Sequence, residues 1–459
     1  MCSGAPRYAA LSASLHMPTE VGWGKHYYYP RAIVHVDGDG FFAACEVARD
    51  PSLRGKPVVT GKERGIVSAA TYEAKARGIT RGVALRDVKR ICPEAIIISS
   101  DYQLYTLYSL RMYEIMRRYT PEVEEYGIDE CFGDITGLRR TLNKSYEEIA
   151  QTIKADLYRE LDITFSVGLS STKVLAKIGS NYRKPNGFTP IPLIGKDAFL
   201  ATVPIEKVWG IGANTGALLR KHGVQTAGEF ASKNKEWVQA RVTKPIYELW
   251  QELNGESVLP LVTEQKDDYH SIQKTRTFSP ASDSPAVLYS ELSKNIEGAC
   301  RKARRYNLVA TGLSFFLKTS EFRYHTHAVT LPRPTNVPSE ILHALEPFFT
   351  KLYRKRIRYR ATGITLTGLR EAKPEQLDLF VSSEKTEGMD RLFESVDELT
   401  EKYGRDTIYL GSSAKAVAIR KQAADGNGIG SISKYRPASL FDGKKRLKLF
   451  SLPMLGDVY

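Results

Sequence analysis

Cysteine is scarce in this chain of 459 residues: Cys2, Cys45, Cys92, Cys131 and Cys300 are widely spaced and form no Cys-x-x-Cys. A disulfide framework and a cysteine-built zinc site are therefore excluded, and a reducing cytosol is the expected setting. No run of ~18 apolar residues occurs, so no membrane span is expected. Residues 1–26 lack the basic start and continuous apolar core of a secretory signal. They read as a poorly ordered leader or an over-called start, since a strand-like pattern begins only near Tyr27. Internal repeats and low-complexity arrays are absent as well. Negative charge is in deficit, with 52 Asp and Glu against 66 Lys and Arg and a net charge of +14. That balance suits a polyanionic partner, nucleic acid ahead of an anionic membrane surface. The length suits about three domains of ~150 residues.

Against this basic background one acidic stretch stands out, EEYGIDECFGDI at 124–135. Apolar and β-favouring residues flank Asp129-Glu130, with Gly127 and Gly133 on either side, which predicts two short strands joined by a tight turn. Neighbouring strand side chains point to opposite faces, so adjacent carboxylates converge only where the backbone turns. Held close, they repel unless a cation or proton joins them. Alone, the pair reads as a solvated acidic turn. Upstream, RAIVHVDGDG (31–40) predicts a buried strand, Ile33 to Val36, ending in Asp37-Gly38-Asp39-Gly40 and followed by helical FFAACEV. An Asp at such a strand end can hold a metal, and Gly38 lets a ligand approach the main chain. Each Asp could equally cap the helix.

Taken together, HVDGDGFFAACE (35–46) and YGIDECFGDIT (126–136), 129 − 37 = 92 residues apart at their Asp residues, resemble the two metal-binding motifs of Y-family translesion DNA polymerases. The DNA polymerase IV (DinB) branch is the nearest match. The resemblance implies an α+β right-hand fold: a palm (27–41 and 100–195), small fingers (42–99), a helical thumb (196–262), a βαββαβ little finger (267–370) and a tail (371–459). It implies two Mg²⁺ ions per site, with Mn²⁺ as a substitute. Asp37 and Asp129 would bridge both ions, Glu130 would hold the primer-side ion, and the Gly38 carbonyl would complete the other. Asp39 carries no ligand role. Phe41 and Phe42 would line the nucleotide site, with Phe42 as steric gate against a 2′-hydroxyl, although either could be a core phenylalanine. Tyr72, Lys75 and Lys184 would bind triphosphate. Two departures stand here: Lys75 replaces the usual Arg, removing bidentate phosphate contact, and Ala69 replaces a frequent Thr.

Along the chain, helices are predicted at 101–119 and 146–161, a strand at 163–170 and a helix from Ser171. Residues 204–226 resemble a helix–hairpin–helix, with Gly210-Ile211-Gly212 as the turn and a helix from about Ala213 whose N–H groups would bind DNA phosphate. Strands at 271–278, 308–318, 323–331 and 359–369 alternate with helices at 285–306 and 338–355. Lys351, Arg354, Lys355, Arg356, Arg358 and Arg360 form a basic run suited to tracking a DNA backbone. QLDLF, from Gln376 through Leu377, Asp378 and Leu379 to Phe380, resembles the peptide that binds the bacterial sliding clamp. Residues 389–405 look helical and resemble an element of polymerase V catalytic subunits. Residues 421–459 suggest no function.

The expected protein is a template-directed, low-fidelity translesion polymerase without proofreading, a monomer in the cytoplasm near the nucleoid. Its partners would be primer–template DNA, dNTP and the sliding clamp, with no membrane. The alternatives are a polymerase V-like subunit needing partner proteins, a palm-type nucleotidyl cyclase, or a non-catalytic DNA- or clamp-binding factor.

Overall fold

The computed structural model describes residues 29–264, 269–372, 383–404 and 406–426; the leader and the clamp-like peptide 376–380 lie outside them. The chain parts into two compact units after Glu264. The first holds β1 (Ile33–Gly38), β2 (Val58–Thr60), β3 (Ala69–Ala70), β4 (Ile96–Ile98), β5 (Val123–Gly127), β6 (Glu130–Asp134), β7 (Phe165–Ser170) and β8 (Phe188–Ile191). The second holds β9 (Ser271–Ser282), β10 (Leu308–Thr319), β11 (Tyr324–Thr335) and β12 (Tyr359–Glu371).

In the first unit a five-stranded sheet runs β5-β6-β1-β7-β8, with β1 central and antiparallel to β6 and β7. Buried on both faces, β1 needs its apolar run Ile33, Val34 and Val36. Alternation sends Ile33, His35 and Asp37 to one face, where Ile33 and Phe132 meet Ala176 of helix Lys173–Tyr182. That helix lies unusually close to the sheet. A Cβ on Gly168 would come within 1.9 Å of the Ala176 carbonyl, and one on Gly179 within 3.1 Å of the Gly168 Cα. On the opposite face Gly133 of β6 meets Met116 of helix Tyr102–Arg117. The capping box of Ser145 and Glu148 starts helix Tyr146–Leu161 at its predicted boundary.

A smaller sheet, β3-β2-β4, packs its own core of Val59, Val67, Ala70, Ala74, Ile79 and Val88. Its strand β3 is only Ala69–Ala70, because Thr71 caps helix Tyr72–Ala76 immediately afterwards. Residues 196–253 form short helices around Leu200, Ile205, Leu219 and Phe230. Helix Ala213–Lys221 begins where the pattern places it, but the element before the Gly210–Gly212 turn is a single 3-10 turn, Ile205–Lys207. Pro204 at its start and Trp209-Gly210 beyond it leave no room for more. Glu252, fully buried, accepts from the backbone N–H groups of Val174 (3.2 Å), Val258 (2.8 Å) and Leu259 (2.9 Å). It thereby ties the last helix, Lys244–Leu253, to helix Lys173–Tyr182.

The second unit realises the βαββαβ order, in an antiparallel sheet β11-β10-β12-β9. Helices Pro285–Arg305 and Pro338–Leu352 bury Leu288, Leu292, Ile296, Ile341 and Leu345 against Phe315, Leu317, Ile364 and Leu366. The second helix stops at Leu352, three residues before its predicted end. Most of the basic run is consequently a turn leading into β12, with Arg356 in left-handed backbone (φ 65°). Helices Ser383–Tyr403 and Ala414–Gly426 add a further layer. The second of them meets Ser290 of helix Pro285–Arg305 through the Ala416 N–H, and the segment between them, Leu410–Ser413, covers Ser293 and Glu297, with Glu297 accepting from Ser413 (2.5 Å) and the Leu410 N–H (3.0 Å).

Glu252→Ala would remove the acceptor of three backbone N–H groups, that of Val174 buried and those of Val258 and Leu259 partly buried. It is expected to lower unfolding free energy by roughly 2–4 kcal/mol, with the urea midpoint as readout and an unchanged midpoint as the contrary result.

Candidate active site

The acidic turn is built by three constraints. Ile128 and Asp129 connect β5 to β6, and β1 pairs beside them with Asp37 opposite Glu130. The Gly38 N–H donates to the Asp129 carbonyl (2.8 Å), which brings the end of β1 to the turn. Buried Tyr113 donates its hydroxyl to the Gly127 carbonyl (2.5 Å) from the helix behind. A side chain at Gly127 would crowd Glu130 Cγ (3.2 Å) and Asp129 Oδ1 (3.5 Å). Asp37, Gly38, Asp129 and Glu130, far apart in sequence, thus share one corner.

Each carboxylate has its own electrostatics. Glu130 pairs with Lys177, and His35 Nε2 lies 3.2 Å from its Oε2. Burial alone would raise the Glu130 carboxyl, but the His35 and Lys177 contacts outweigh it and hold it at about 2. His35 is fully buried, its Nδ1 2.7 Å from Ser180 Oγ. Burial keeps its imidazole below the usual value and so neutral at pH 7. Asp37 pairs with Lys184. Asp129 is shifted upward, first by desolvation and then by the charges of Asp37 and Glu130.

Residues expected to bind triphosphate converge here too. Lys75 is lowered by burial and by the nearby Lys184, and its Nζ lies 3.9 Å from the Tyr72 ring centroid. The Tyr72 hydroxyl is raised by burial and by the charges of Asp39 and Asp37. Asp39 is buried and occupied: it accepts from Ser166 Oγ (2.8 Å) and the Asn186 N–H (2.7 Å), fixing the turn that carries Lys184. The two phenylalanines part ways. The Phe41 ring is buried beneath Gly38 as a core phenylalanine. Phe42 is half-buried and stacks on Tyr105 (4.4 Å, 12°), whose hydroxyl is held by Glu46 (2.7 Å).

Gly210 and Gly212 lie in the first unit, next to Trp209, whose indole N–H donates to the Tyr126 hydroxyl of the acidic hairpin (3.1 Å). Gly210 has φ 85° and abuts Leu249; Gly212 leaves the start of helix Ala213–Lys221 without a side-chain cap. Lys351, Arg354, Arg356 and Arg358 belong to the second unit and are exposed, Arg358 donating to the Ala281 carbonyl (2.8 Å). Sequence reasoning passed over the supports of the site: His35, Tyr105, Tyr113 and the structural use of Asp39. Period-two alternation with Asp37 was the available signal for His35.

Among the described residues, no three carboxylate, imidazole or thiol groups already surround one point; lysines neutralise Asp37 and Glu130 instead. The donor set nevertheless fits a hard divalent cation. It is all oxygen, and Asp129 is half-buried among like charges that a cation would relieve.

The impB/mucB/samB family pattern matches residues 36–181, and that of the family's C-terminal domain matches residues 269–379. DNA polymerase IV of Lactococcus lactis subsp. cremoris (strain MG1363) is 34% identical over 345 residues, covering 74% of this chain and 94% of that protein. DNA polymerase IV of Clostridium kluyveri is 32% identical over 399 residues, covering 84% and 98%. In structure, a Y-family DNA polymerase chimera aligns over 74% of this chain and 99% of its own, with TM-score 0.63 and 24% identity, a likeness of fold.

The two acidic shifts have opposite linkage signs. The folded value of Glu130, about 2, lies below the ordinary 4.5, so its stabilisation is present above pH 4.5 and is lost as pH falls toward 2. Asp129 is raised above 3.8, so its ionisation costs stability as pH climbs past 3.8. In EDTA at pH 7, Asp129→Asn is expected to unfold at a urea concentration no lower than the parent. Glu130→Gln should lose roughly 1–3 kcal/mol by leaving Lys177 uncompensated. The reverse order would contradict this electrostatic picture.

Proposed function

The chain belongs to the impB/mucB/samB family and is a DNA-directed, translesion DNA polymerase of the Y-family, DNA polymerase IV-like; from that premise we propose how its own residues carry the reaction. The observation that carries the proposal is the convergence of Asp37, Asp129 and Glu130 at one corner of the sheet, with Lys184, Lys75 and Tyr72 beside them.

The reaction joins the primer 3′-oxygen to the α-phosphorus of a dNTP and releases pyrophosphate. Asp37, Asp129, Glu130 and the Gly38 carbonyl would hold two divalent cations, Mg²⁺ first. When bound, such ions supply charge neutralisation and a more acidic 3′-hydroxyl. Lys177 and His35 keep Glu130 ionised and aimed. Lys184, Lys75 and Tyr72 receive the triphosphate. Once it arrives, Lys184 can leave Asp37 for a phosphate oxygen, freeing the carboxylate for a cation. Phe42, braced by Tyr105, closes the space a 2′-hydroxyl would need.

DNA is held by backbone contacts rather than base contacts. The uncapped start of helix Ala213–Lys221, with Gly210 and Gly212, offers N–H groups to a phosphate. Lys351, Arg354, Arg356 and Arg358 supply exposed positive charge. Gln376 to Phe380 serve as the sliding-clamp peptide. We assign the palm to 27–41 and 100–195, the fingers to 42–99, the thumb to 196–262 and the little finger to 267–370. The protein works as a monomer in the cytoplasm, at the nucleoid. No helix among the described residues is long and apolar enough to cross a membrane. The relatives support this reading over polymerase V-like, cyclase and non-catalytic ones.

Primer extension across an abasic template tests the site directly. Asp129→Ala should reduce the rate by roughly 10³-fold or more, and undiminished synthesis would overturn the assignment. Phe42→Ala should raise ribonucleotide incorporation while retaining dNTP use; unchanged sugar discrimination would remove the gate. Deleting 376–380 should abolish clamp stimulation and spare distributive synthesis, and equal stimulation of the shortened chain would refute the peptide's role.

A further inference from the structure

The second unit contains a cleft of about 260 Å³ between edge strand β9, helix Pro285–Arg305 and the C-terminal helices. It is lined by seven lysines and arginines against three carboxylates, Glu297, Glu401 and Asp406. Its floor is on the helical side of the sheet. Ile272 and Phe278 of β9 pack into the core, so Lys274 and Arg276, two residues apart in the same register, face the same way. Lys274 runs along Gly298 of the helix.

Part of this charge is already balanced. Lys294 pairs with Glu297 (2.9 Å) and Asp406 (2.7 Å), Arg305 with Glu401 (3.2 Å), and Arg420 with Glu291. Two donors are not. Arg420 Nε is buried with no hydrogen-bond partner. Arg276, though open to solvent along much of its length, has no hydrogen bond or ion pair among the described residues, and Arg420 stands close enough to repel it. Arg276 and Arg420 both line the cleft, one of them with a stranded N–H, and although Glu291 and Asp406 stand near, an anion between the two guanidinium groups would satisfy donors that these carboxylates leave open. The size of the cleft and its three carboxylates favour a compact, multiply charged anion over a continuous backbone.

We propose that this cleft is a binding site for a small phosphate anion of the pyrophosphate type, held between Arg276 and Arg420, and separate from the catalytic carboxylates. The site exists only because the C-terminal helices dock on helix Pro285–Arg305, bringing Arg420 to β9. A ligand there would strengthen that docking.

Isothermal titration of the full-length protein with pyrophosphate in EDTA tests this, with inorganic phosphate as a second probe. Circular dichroism checks that each variant is folded. The expected result is a saturable binding step that Arg276→Ala weakens by roughly 10–100-fold, that Arg276→Lys partly restores, and that persists in Lys184→Ala. Binding lost with Lys184→Ala but not with Arg276→Ala would put the anion in the polymerase site and overturn the proposal. So would no binding at millimolar pyrophosphate, or Arg276-dependent binding of a single-stranded oligonucleotide without any of pyrophosphate.

Discussion

Repulsion among three carboxylates is the constraint that the first unit is built to withstand. Asp37, Asp129 and Glu130 come together because β1 is the centre of its sheet and pairs with the strand that opens at Glu130. Such an arrangement is costly without cations, and the fold meets the cost locally. Lys184 and Lys177 neutralise two of the carboxylates, and the third, Asp129, keeps its penalty. The helix bearing Lys177 can reach the sheet because Gly168 and Gly179 let backbone meet backbone. The turn bearing Lys184 is fixed by buried Asp39. Much of the packing around the site therefore serves the placement of two ammonium groups and one imidazole.

The same view explains why neighbouring residues of one type do different work. Asp37 and Asp39 share a strand end, yet one faces the acidic corner and the other anchors a loop from inside the core. Phe41 and Phe42 open one helix, yet one fills the space under Gly38 and the other stacks, half-buried, on Tyr105. A helix separates consecutive side chains by about 100°, so adjacent residues meet different surroundings.

Legibility followed the strength of local pattern. The βαββαβ order was readable, its element starts to within a residue but its ends missed by up to four, since each strand alternates and each helix repeats an apolar stripe, as in Leu288, Leu292, Ile296 and Ala299. The carboxylates were readable only as a pair of motifs: alone Asp129-Glu130 reads as a solvated turn, and it was the resemblance of both stretches, 92 residues apart, that joined it to Asp37. What escaped the sequence was tertiary. Alternation with Asp37 puts His35 on the site's face, but nothing local marks Glu130, 95 residues away, as its neighbour, or Tyr113 as the donor that pins Gly127. The shortened helix Pro338–Leu352 went unforeseen because lysine and arginine favour helix as readily as they favour a solvated turn. The docking of the C-terminal helices depends on Ser293 and Glu297, polar residues whose burial no periodicity announces.

Electron paramagnetic resonance of Mn²⁺ bound to the ternary complex, with dNTP and a dideoxy-terminated primer, tests the central claim most directly. Two tightly held ions per chain are predicted for the parent protein, and fewer than two for Asp129→Asn with DNA still bound. Two ions retained by Asp129→Asn, or none held by the parent, would contradict the account.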